Sequence, residues 1–87
     1  MSDPLIRRLR EQIAERDRAL LDAVNARLKL VAELRRHKEE QGLDFVDPEQ
    51  EERLLQALAA ANAGPLSDEG LRRLFRELLA LMKDELG

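Results

Sequence analysis

The sequence contains no cysteine, tryptophan or tyrosine, and its aromatic residues are two phenylalanines. Without cysteine there is no disulfide framework and no thiolate metal site. The single histidine, His37, has no second ligand candidate beside it, so no metal centre is expected. β-Branched residues are few, which argues against a sheet. No run approaches the roughly 18 apolar residues that a membrane span needs, and the charged N-terminus is unlike a signal peptide, so cytoplasmic residence is expected. Neither sign of charge dominates: 15 Lys and Arg against 18 Asp and Glu leave a net charge of −3. That balance disfavours nucleic acid as the main partner. Conventional hydrolytic or nucleotide chemistry is not expected either, because no Ser/His/Asp set and no phosphate-cradling glycine loop is present.

Leu, Ala, Glu and Arg fill the space that these absences leave, within a composition 44% hydrophobic and 38% charged. All four are good helix formers, so the fold class expected is all-α. At 87 residues the chain reads as a single domain, 1–87, small enough that a core built by one copy alone would be marginal.

Helical periodicity runs unbroken from a start at Ser2, Asp3 and Pro4 to about Gln41, where Gly42 supplies a stop. No Gly or Pro interrupts it, so the first helix is predicted at about 37 residues, roughly 55 Å long. A short loop, 42–46, leads to Asp47-Pro48-Glu49-Gln50, a helix start with Asp as N-cap, Pro at N1 and Gln completing a variant capping box. This second helix ends near Ala61. Asn62-Ala63-Gly64-Pro65 is a loop by composition, and Ser67 caps a third helix carrying Leu71, Leu74, Phe75, Leu78, Leu79 and Met82 on one face. At about 14 and 19 residues, neither later helix can cover the apolar stripe of the first. A second copy of the chain is expected to cover it, as a homodimer in which the long helices pack together.

The stripe itself is interrupted by charge. Apolar residues fall at 6, 9, 13, 20, 24, 31 and 34, while Asp17 and Arg27 occupy the gaps and Lys38 takes the next step; Arg10 lies beside the same stripe. A buried unpaired charge costs several kcal/mol, so cations on a core seam need a reason. For any one of these residues an interhelical salt bridge is sufficient; for the set, a buried anionic ligand is the reading adopted. Arg10 and Arg27 are about 25 Å apart along one helix, so they meet one small ligand only if Arg10 comes from the other chain of an antiparallel dimer. At the start of helix two, Glu51 shares a face with Asp47, whose simplest role is N-capping. That helix start also offers free N–H groups to a polar ligand.

With these residues in view, the chain resembles the all-α chorismate mutases of the AroQ class. The resemblance covers nearly the whole length. It rests on LREQIAERDRALLDAVNARLKLVAELRRHK in helix one, GLDFVDPEQEERLL at the second turn and LRRLFRELL in helix three. It implies an intertwined homodimer that rearranges chorismate to prephenate, toward phenylalanine and tyrosine, with no cofactor and no metal. Catalysis would come from electrostatic and conformational preorganisation. It further implies that Arg10, from the partner chain, and Arg27 clamp the substrate carboxylates, that Lys38 donates to the ether oxygen, and that Glu51 with the Asp47 region holds the ring hydroxyl. Asp17 stays structural.

Three positions depart from the family pattern. Gln50 stands where close relatives commonly carry Arg. Met82 and Leu86 stand where helix three usually offers a small polar residue and a Gln or Glu, and a one-residue shift would instead bring in Glu85. These substrate-facing departures predict an intact scaffold with reduced activity. They also keep two alternatives open: a weakly active or non-catalytic regulatory module partnering another shikimate-pathway enzyme, and an isochorismate-pyruvate lyase on the same scaffold.

Overall fold

The computed structural model describes residues 3–87 and consists of three helices, α1 (Pro4–Glu40), α2 (Pro48–Ala61) and α3 (Asp68–Leu86). Among the described residues there is no strand, and no helix is long and apolar enough to cross a membrane. The backbone groups into two compact units, one ending at Glu33 and the other Leu34–Gly87.

Each helix begins and ends where local chemistry satisfies its free backbone groups. Asp3 caps α1, its carboxylate accepting from the Leu5 N–H at 2.8 Å and its carbonyl from Arg7 N–H. Ser2, the other residue read as part of this start, lies outside the described residues. At the far end Gly42 adopts φ +69°, which a side chain would strain. Around it the Leu43 N–H reaches back to the Lys38 carbonyl at 2.8 Å and the Gly42 N–H to the Glu39 carbonyl. That pair is the Schellman arrangement, which occupies carbonyls the helix would otherwise leave free.

Asp47 caps α2 by accepting from the Gln50 N–H at 3.2 Å, with Pro48 in the first turn. Ser67 Oγ does the same for α3, accepting from the Gly70 N–H at 3.0 Å. Between α2 and α3 the Asn62 side chain bridges the loop, accepting from the Gly64 N–H and donating to the Leu66 carbonyl.

Within the second unit α2 and α3 pack together, and the core is small. Leu55, Leu71 and Met82 are its buried apolar side chains, with Leu54, Leu58, Phe75, Leu78 and Leu79 half-buried around them. The last turns of α1 join this unit through Arg35, whose guanidinium donates to the Leu86 and Gly87 carbonyls and lies 5.5 Å from the Phe45 ring centre. In the first unit α1 has no buried residue, and Leu5, Ile6, Leu9, Ile13, Leu20 and Leu21 are all exposed.

Candidate active site

The first turn of α2 gathers three of the residues singled out from the sequence. Asp47 directs its carboxylate onto the Gln50 N–H, the capping geometry, so one of its oxygens is committed to the backbone. Gln50 is exposed, and its Oε1 accepts from Arg53 Nε at 3.2 Å, which keeps the amide on the surface of its own helix. Glu51, one residue on, is half-buried and faces α3, where Lys83 Nζ lies 2.7 Å from its Oε1. These two side chains line a cleft of about 450 Å³ between α2 and α3, with Glu52, Leu55, Arg76 and Leu79.

Lys38 stands on the last full turn of α1 and is half-buried; its Nζ donates to the Phe45 carbonyl at 3.2 Å. Arg35, one turn earlier on the same face of α1, holds the Leu86 carbonyl. The end of α3 and the loop before α2 are therefore tied to one turn of α1. Leu86 itself is half-buried. Met82 is 2% exposed, a core side chain.

Arg10 and Arg27 belong to the first unit, Arg10 exposed and Arg27 half-buried. Asp17 is exposed there too.

Sequence reasoning missed Lys83, Arg76 and Arg35. Arg76, Leu79 and Lys83 follow helical spacing on α3, a mixed cationic and apolar stripe visible in the sequence. Lys83 sits beside the dominant Leu face and so reads as solvent-facing, which hides the stripe. Among the cations joining these helices, Arg72 is held above its ordinary pKa, chiefly by its hydrogen bond with Asp68; desolvation opposes this, and the charge of Asp68 and the hydrogen bond and charge of Glu52 add to it. It is charged at any working pH.

The chorismate mutase type II family model matches residues 9–85. The chain belongs to that family. Two solved structures bear this out. Form II of a chorismate mutase from Thermus thermophilus superposes with a TM-score of 0.89 at 38% identity, covering 91% of this chain and 90% of that one. Form I of the same enzyme gives 0.87 at 38% identity, over 88% and 96%. No curated protein sequence matches the chain. For a chorismate mutase-type chain the fold is the expected one, all-α with a long first helix, and the helix boundaries follow those read from the sequence to within a residue or two.

Proposed function

We propose that this chain catalyses the rearrangement of chorismate to prephenate. The observation that carries the reading is the family match over residues 9–85, nearly the full sequence. The reaction is a unimolecular isomerisation: the ether C–O bond breaks as a C–C bond forms, and no atom enters or leaves. It calls for no nucleophile, so the protein's part is to hold the compact conformer and to meet charge as it develops.

The residues suit that part. Arg27 grips a substrate carboxylate through its planar fork of donors, and Arg10 of a second copy grips the other. Lys38 donates to the ether oxygen, which gains negative charge in the transition state. Its ammonium already sits half-buried with a carbonyl partner, so it is a donor held in place rather than a free surface lysine. Glu51 accepts from the ring hydroxyl, beside the α2 N-terminus that Asp47 caps and Gln50 borders. Leu86 supplies apolar surface where a polar group would help Lys38, which lowers the rate relative to a fully furnished site, while Met82 is packed in the core.

The dimer is part of this proposal. The long apolar stripe of α1 is uncovered in the single chain, with Ile13 and Leu20 each more than half exposed. A C2 partner laying its own α1 along that stripe would bury it. Residence in the cytoplasm goes with this reading.

The deciding experiment is a chorismate depletion assay with prephenate identified as product, run beside an isochorismate assay. Turnover of chorismate to prephenate is expected; pyruvate release from isochorismate with no prephenate formed would overturn the reading. A strong rise in activity on adding a shikimate-pathway enzyme such as 3-deoxy-heptulosonate-phosphate synthase would show a regulatory partnership.

A further inference from the structure

Two ion pairs join α2 to α3 among the described residues: Lys83 with Glu51 at 2.7 Å, and Arg72 with Glu52 at 3.4 Å. Partly exposed pairs of this kind contribute little to stability. Since Arg72 and Glu52 already join the same two helices, what sets Lys83 apart is the carboxylate it holds. Glu51 lies on the first turn of α2, on the face it shares with the capping Asp47, and it lines the cleft between α2 and α3. Its side chain has three rotatable torsions and is 31% exposed, so its own helix leaves the carboxylate more than one direction. Nor does that first turn supply a cation to it: Gln50 is neutral and turned onto Arg53. Lys83 reaches in from α3 and takes Oε1, which leaves Oε2 open to a donor.

We propose that Lys83 is a positioning residue for the reaction: by holding Oε1 of Glu51 it aims the other oxygen of that carboxylate at the substrate's ring hydroxyl. The proposal rests on the role given to Glu51 in the reading above. A functional group serves only when its own supports are fixed, and a displacement of about 1 Å is enough to cost up to roughly a hundredfold in rate. Lys83 fits that supporting part because it contacts Glu51 directly and comes from a different helix, so the carboxylate is braced across the cleft. Lys83 donates through Nζ.

The test is steady-state kinetics and thermal unfolding on the full chain, with Lys83→Met, Lys83→Arg, Glu51→Gln, Arg72→Met and the double variant Lys83→Met/Glu51→Gln. Lys83→Met is expected to lower kcat/KM about tenfold by misplacing Glu51, and Lys83→Arg to restore most of the loss. Arg72→Met breaks the companion pair and should change kcat/KM by less than about twofold while lowering Tm about as much as Lys83→Met does. In the Glu51→Gln background, Lys83→Met should add almost nothing, since the two act as one unit.

Unchanged kcat and KM in Lys83→Met overturn the proposal, as does a loss that persists in full without Glu51. An equal loss in Arg72→Met, or a Lys83→Met chain that no longer folds, makes the pair a structural tie and overturns it too. Wild-type protein inert toward chorismate is a separate result: it removes the functional reading, and the role of Lys83 falls with it.

Discussion

Arg27 and Lys38 carry the same signal, charge on an apolar seam, and both are half-buried in the folded chain. Arg10, distinguished by its place beside that seam, is exposed in the single chain. Arg27→Ala is expected to reduce kcat/KM on the order of 10²–10³-fold while far-UV circular dichroism stays unchanged, because an electrostatic contact is lost and no core atom moves. A collapse of helicity instead would assign Arg27 to a structural salt bridge. The apolar Leu86 permits a test in the opposite direction. Its carbonyl is held by Arg35, so the backbone is anchored and the side chain is replaceable. Leu86→Gln should raise kcat about tenfold with KM little altered if the missing polar group limits Lys38, and steady-state kinetics would reveal it. Lys83 is the residue that periodicity overlooks, because a lysine next to a leucine face looks identical whether it meets water or a glutamate from another helix.

Helix boundaries were the most legible level. Asp3, Asp47 and Ser67 each cap a helix through a side-chain oxygen, and Gly42 ends α1 through a left-handed backbone, all decided within a few residues of sequence. Periodicity carries α1 to about Gln41; the helix closes at Glu40, with Gln41 in the capping turn. Asp47 combines two possible roles, and substitution separates them. Asp47→Ala removes the cap and should destabilise the fold by about 1 kcal/mol, read as a lower Tm. Asp47→Ser keeps a capping oxygen and should retain both Tm and most activity; full stability with activity lost would give the carboxylate a direct part in binding.

The whole molecule poses the question of how so small a core persists. Three buried apolar residues among the described residues are few against the entropy of ordering a chain of 87, which is why the proposal has a second copy covering the apolar stripe of α1. Leu20→Asp is expected to weaken pairing in sedimentation and, because the lone chain has so small a core, to lower Tm at every protein concentration. Shared sites permit a sharper prediction. When inactive Arg10→Ala and Arg27→Ala chains are mixed and allowed to exchange, each mixed dimer has one site with both arginines and one with neither. Activity should recover to roughly a quarter of wild type under random C2 pairing. No recovery, with exchange verified by mass, would place both arginines of a site on the same chain.

The sequence by itself determined the helices, their caps and the seam on which Arg27 and Lys38 stand, because capping and periodicity are rules acting over a few residues. Only the tertiary structure decided that Glu51 meets Lys83, that Arg35 reaches the end of α3, and that Met82 lies in the core. Those outcomes depend on how α2, α3 and the end of α1 are brought together. Side chains more than thirty residues apart acquire partners by that packing, and no local pattern encodes it.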